Sequence, residues 1–253
     1  MKRREAILAT AGLAASMISG LARAAKPCPP PQVDLAGGTS ATTTCGAVTS
    51  GNSYSTQFAA TESPISEGGI WTNGGTNGLD WHDVRTTPGE AFAVDATSGY
   101  ADAIAHLNTN AWPASLTNYK ITGVIRRGSI PSSETGSHEV ELHLRQKITA
   151  HNARGYECFI NAAGQVSIAR WNGAASDFTF IGTTDVSQVT VNNGSVFEAQ
   201  IIGSSGIISL DGVQIAHFTD SSFADGFPGM GFDKSAGLNA SLFGFSSWSV
   251  VAL

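Results

Sequence analysis

From Tyr54 onward the chain is written in short runs of Val, Ile, Phe and Tyr that alternate with polar residues, each run closed by a glycine-bearing turn. A two-residue period of this kind marks half-buried strands, and no later segment sustains a helical period. The pattern predicts strands over Tyr119–Arg126, His138–Thr149, Gly155–Asn161, Gln165–Trp171, Val196–Ile202, Gly206–Leu210, Val213–Thr219 and Ser241–Val251. One stretch, Tyr100–Leu107, reads as either a short helix or a loop. Asp211-Gly212 between two β-branched runs can take the positive φ values of a two-residue hairpin, and Asn161–Gly164 links two further strands. Many short antiparallel strands in one domain of this length predict an all-β, two-sheet antiparallel jelly-roll sandwich. The last strand is apolar enough to be central and to return beside the first.

The ends change the picture. Residues 1–25 join a basic start to a short alanine-rich apolar run and small residues at Ala22 and Ala24, the form of an export signal. Arg3 and Arg4 fit the twin-arginine route, with ordinary secretion as the alternative. Lys26 and Pro27 before Cys28 do not suit a lipid attachment site. Residues 26–56 are rich in Pro, Thr, Ser and Gly and read as a leader with room for one early strand, and residues 57–253 as a single domain. No later window is long and apolar enough to span a bilayer, so a secreted or periplasmic protein without membrane insertion after signal cleavage is expected.

Charged residues make up 13% of the chain, and the formal net charge is −6. With no Lys/Arg cluster, this argues against nucleic acid as a partner. Cys28 and Cys45 could pair in an oxidising compartment, whereas Cys158, alternating with Tyr156 and Ile160, reads as a buried hydrophobe. No Cys-x-x-Cys or His-x-x-x-His spacing supports a zinc or redox site.

Against this sparse charge, Ser137–Arg145 (SHEVELHLR) stands out. On a strand, Glu139, Glu141, His143 and Arg145 share one face at steps of about 7 Å. Such a row serves as a catalytic line, a sugar-binding line, or a solvated face laced with weak ion pairs. Sugar hydroxyls favour carboxylates, amides and guanidinium groups, and sugar rings favour aromatic faces. Trp71, Trp81, His82, Trp171 and Asn172, near turns or strand ends, are therefore candidate ligand contacts, while Trp248 reads as core. Arg126 and Arg127 end a strand that either lines the same sheet or runs into a solvated turn.

The ordered motifs ESPISEGGIWTNGG, GLDW, EVELHLR, GYECFINAAGQVSIARWNG, ISLDGVQI and DGFPGMGF, spread over roughly Phe58 to Val251, resemble the laminin-G-like branch of the concanavalin A-like lectin and glucanase superfamily. The resemblance implies a concanavalin A-like sandwich with a concave sheet across which a polysaccharide lies. It also implies alternatives: glycan binding, glycoside hydrolysis, uronate elimination, or an adhesive envelope module without a small ligand. Laminarinase-type members carry three alternate carboxylates on one strand, and here His143 stands in the third place. An eliminating enzyme would use His143 as base, Arg145 to neutralise the uronate, and Tyr119 or Tyr156 as proton donor. No cofactor is expected beyond the structural calcium frequent in that superfamily, for which Asp220, Asp225 and Asp233 in glycine-rich loops are candidates. The favoured reading is a secreted glycan-binding sandwich centred on Glu141 and His143, with Arg145 orienting the ligand.

Overall fold

The computed structural model describes residues 53–94, 102–234 and 237–253. The expected export signal, Cys28, Cys45 and most of the leader lie outside the described residues, as does the start of the Tyr100–Leu107 segment. The described chain forms two antiparallel sheets. The nine-stranded sheet runs in the order β11 (Thr183–Thr184), β14 (Val213–Thr219), β13 (Ser205–Leu210), β12 (Val196–Ile202), β6 (Tyr119–Arg127), β16 (Phe243–Ala252), β4 (Glu90–Ala93) and β3 (Val84–Thr87). Its remaining strand, β1 (Ser53–Thr56), pairs with the C-terminal half of β16, so the last strand is central and lies beside the first. The seven-stranded sheet runs β10 (Phe178–Phe180), β9 (Val166–Gly173), β8 (Asn152–Asn161), β7 (Glu139–Thr149), β15 (Phe227–Phe232), β5 (Ala103–Leu107) and β2 (Trp71–Asn73).

The described part of the helical candidate is the strand β5, buried at all five positions. Its apolar residues meet partners on two sides: Met230 and its neighbours on β15, and Trp71–Asn73 on β2. Sheet pairing on both edges overrides the weak local helical pattern.

The two sheets differ in how they use alternation. In β6, Tyr119, Ile121 and Ile125 are buried while Lys120, Thr122, Val124 and Arg126 are half-buried on the other face. That outer face is wet and carries ordinary cross-strand pairs such as Lys120 Nζ to Glu198 Oε1 at 2.6 Å, each contributing a fraction of a kcal/mol. In β7, by contrast, positions Val140 through Gln146 are all buried. Val140, Leu142 and Leu144 enter the core between the sheets, so Glu141 and His143 are buried on the opposite face.

Between the sheets, Tyr54, Trp71 and Trp248 pack with ring centroids 5.3–6.0 Å apart. Phe245 lies over Gly123, where an added Cβ would come within 2.5 Å of its ring. Asp211 (φ 51°) and Gly212 (φ 80°) make the β13–β14 hairpin expected from their sequence, with Leu210 opposite Val213. In the β8–β9 turn, Asn161 Oδ1 accepts from the backbone N–H groups of Ala163 and Gln165.

Two measurements test this packing. Gly123→Ala should displace Phe245 and lower unfolding free energy by roughly 1–3 kcal/mol in urea titrations. His106, 4% exposed, accepts from Ile148 N–H at 3.2 Å through Nε2 and donates from Nδ1 to Leu107 O at 2.7 Å, an arrangement only the neutral ring allows. Burial pulls its pKa down to about 4. The unfolded chain therefore binds this proton more readily, and stability should fall by about 3 kcal/mol as pH drops from about 6.5 to about 4. In His106→Gln the fall over this window should shrink, leaving the contribution of His138, whose pKa burial also lowers.

Candidate functional site on the outer face of the seven-stranded sheet

The face of this sheet turned away from the core carries Glu139, Glu141 and His143 on β7, with Glu157 on β8 directly opposite His143. Glu141 and Glu157 are 0% exposed and His143 1%, while Glu139, at the margin, is half-buried. His143 Nε2 and Glu141 Oε2 share a hydrogen bond of 2.7 Å, and Trp171 Nε1 donates to Glu157 Oε2. The three glutamates each place an oxygen within 4.8 Å of the others. Three oxygens of this kind suit a hard cation, although calcium takes six to eight ligands and would need further donors.

The neighbouring strand β15 makes room for the pair. Gly231 lies opposite Glu141 and Gly229 opposite His143. A Cβ on Gly231 would stand 2.3 Å from Glu141 Oε2 and 2.6 Å from His143 Nε2. Beside the polar cluster, Trp81, Ile104, Ile148, Ala153 and Trp171 form a separate apolar group on the same face. Trp81 and Trp171 are 3% and 2% exposed and pack on each other at 6.0 Å, so neither ring face lies open.

Arg145 does not join the row. β7 carries a bulge between Leu144 and Lys147, and Arg145 there has φ 52°. Its N–H donates to Tyr119 Oη at 2.6 Å, inside the core, and its guanidinium donates to Phe223 O at 2.7 Å and Thr117 O at 3.1 Å. The extra residue breaks the two-residue alternation and turns this side chain to the other side of the sheet. Gly226 permits it, since a Cβ there would come within 2.2 Å of Arg145 O.

The eliminating arrangement is therefore not assembled. Tyr119 is buried in the core with its pKa pushed up by desolvation, and Tyr156 Oη is held by Asp220 and by Phe223 N–H. Both tyrosines belong to the core between the sheets, whereas His143 lies on the outer face.

Other expected contacts are also placed elsewhere. Trp71 is in the core between Tyr54 and Trp248, where tight aromatic packing outweighs any role at a turn. Arg126 lies on the other sheet, its Nε 2.7 Å from Glu90 Oε1, because β6 pairs with β12 and β16 rather than with β7. His82 is half-buried and its backbone extends the sheet edge beside Ala103. Asn172 is exposed at the β9 edge, bonded to Asp177 and Thr179. Asp220 pairs with Arg170, and Asp225 with Lys147 and Arg154, so these two carboxylates are taken by cations on separate strands and do not converge on a calcium ion. The backbone carbonyl of Asp233 accepts from Glu139 N–H.

Glu157 is the residue that sequence reading passed over. The alternation that puts Tyr156, Cys158 and Ile160 in the core puts Glu157 on the opposite face, so its position was available from the same pattern.

No protein-family model matches the sequence, and no curated protein matches it significantly. Solved structures do. The chain is similar to the exoplasmic/lumenal domain of VIP36 in its metal-free form, at 10% identity over 81% of this chain and 93% of that one, with a TM-score of 0.53. The same domain bound to Ca2+ and Man3GlcNAc matches at 9% identity over 82% and 90%, again at 0.53. The carbohydrate-binding module CBM66 from Bacillus subtilis matches at 16% identity over 72% and 92%, at 0.47, too loosely to add weight. The chain thus has a lectin-type antiparallel β-sandwich fold. Among the described residues, no helix is long and apolar enough to cross a membrane.

The glycine floor gives a direct test. Gly231→Ala should separate Glu141 from His143, shifting the His143 imidazole nitrogen resonances in NMR spectra; Gly123→Ala, in the other sheet, should leave them in place.

Proposed function

We propose that this protein is a secreted glycan-binding module whose ligand face is the outer face of the seven-stranded sheet. The observation that carries the reading is the gathering of Glu139, Glu141, His143 and Glu157 on that face above two glycines, beside Trp171. Burying carboxylates is expensive, and functional sites are among the places where such titratable groups are gathered. The lectin-type fold supports the reading, since similar structures include a VIP36 domain bound to Man3GlcNAc. Carboxylates and imidazole suit sugar hydroxyls, accepting and donating in fixed directions. Because Glu141, His143 and Glu157 are enclosed in this structure, a sugar engages them only as the face opens, and Glu139 at the margin is where contact begins.

One observation favours a second reading, glycoside hydrolysis. Glu157 supplies the third carboxylate that the β7 row lacks, and oxygens within 4.8 Å approach the separation of about 5–5.5 Å used by retaining enzymes.

A panel of neutral and uronate polysaccharides separates these. The glycan-binding reading expects retention on a glycan array without release of reducing ends or of unsaturated uronate absorbance. Glu141→Gln should weaken retention about tenfold or more while shifting Tm by only a few degrees. Cleavage would move the protein to the second reading, and unchanged retention in Glu141→Gln would remove the site from this face.

A further inference from the structure

At the end of the sandwich where β7 begins, the β8–β9 turn and residues 188–191 border an open cleft of about 420 Å³. Arg127, the last residue of β6, lines it together with Ala162, Ala163 and Gln188. Its Nη1 donates to Ala162 O at 2.6 Å, its backbone N–H donates to Asn193 Oδ1 at 2.9 Å, and its guanidinium lies 5.9 Å from the centre of the Phe243 ring. Gln188 Nε2 donates to Ala163 O. Two carbonyls that would repel an anion are thereby covered by donors.

One further cation, Lys234, stands behind the turn beside His138. Ala162 N–H donates to His138 O at 2.9 Å, and His138 bridges Lys234 in an antiparallel contact. His138 and Lys234 are 1% and 2% exposed. Burial holds the His138 imidazole below its usual range, Lys234 and Arg127 push the same way, and Glu134, 3.9 Å from Nε2, opposes them.

Arg127 also differs from its neighbours. Arg126 is paired with Glu90, Arg154 with Asp225, Arg170 with Asp220, and Lys120 with Glu198. Among the described residues, no carboxylate lies within salt-bridge distance of Arg127. In a chain with a formal charge of −6, a guanidinium left with spare donors in a cleft is an unusual concentration of positive potential. Its planar fork matches carboxylate and sulfate oxygens two at a time.

From this geometry we infer that the Arg127 cleft seats the carboxylate or sulfate group of an acidic glycan. The inference rests on the glycan-binding reading and names its ligand class. Glu139 follows His138 directly, so the cleft adjoins the margin of the proposed face. The anionic substituent lies with the cations beyond the β8–β9 turn, and hydroxyl-bearing parts of the chain meet the glutamates.

The test is calorimetry of the full-length secreted protein with three oligosaccharide sets of matched length: uronate, sulfated and neutral. At least one acidic set should bind about tenfold or more tightly than the neutral set, with affinity falling as salt rises. Arg127→Gln should remove that preference and leave neutral binding unchanged. Arg127→Lys, which keeps the charge without the fork, should retain part of it, and circular dichroism melting of both variants checks folding. Whether uronate or sulfate leads identifies the group. Equal binding of neutral and acidic sets, or a preference unchanged in Arg127→Gln, overturns the cleft assignment and leaves glycan binding standing. Failure of all three sets overturns the glycan-binding reading and this inference with it.

Discussion

A charged or polar side chain buried on a strand costs free energy unless it finds a partner, and on β7 the 2.7 Å hydrogen bond between Glu141 and His143 supplies one. The bond exists because the adjacent strand presents glycines: any larger residue at position 231 would occupy the space of the two side chains. Glu157 and Trp171 extend the arrangement across β8 and β9, so four neighbouring strands are committed to one polar cluster. The wet outer face of the nine-stranded sheet, with its exposed Ser, Thr and paired Lys120–Glu198, faces no such demand.

The bulge at Arg145 decides what the cluster can do. Without it, a guanidinium would stand two residues beyond His143 and offset the acidity of the glutamates. With it, Arg145 ties the Thr117 and Phe223 carbonyls together at the end of the sandwich, and the outer face keeps an excess of carboxylate. Positive charge is instead placed at the other end of β7, where Arg127 and Lys234 flank the β8–β9 turn. Acid character thus gathers on the face and basic character at the cleft, the separation on which the proposed binding of an acidic glycan rests.

Much of the fold was legible because it rests on a period of two and on turn chemistry. Eight of the eleven strands from Tyr119 onward, the Asp211-Gly212 hairpin and the central position of β16 follow from local pattern, whereas β10, β11 and the glycine-bearing β15 did not show in it. The segment Tyr100–Leu107 was not legible, since a short apolar run becomes a strand only when β2 and β15 pair with it. Likewise, the indoles of Trp71, Trp81 and Trp171 look alike in sequence, yet one joins the core and two pack on each other outside it.

The sequence by itself determined the alternation that sets Glu139, Glu141 and His143 against Val140, Leu142 and Leu144, and it would have placed Glu157 opposite Cys158 by the same rule. Only the tertiary structure decided that Glu157 faces His143, that Arg145 leaves the row, and that Arg126 belongs to the other sheet. The reason is physical: alternation along a strand is fixed by backbone geometry within a few residues, whereas strand order, register and bulges arise from pairing between segments far apart in the chain.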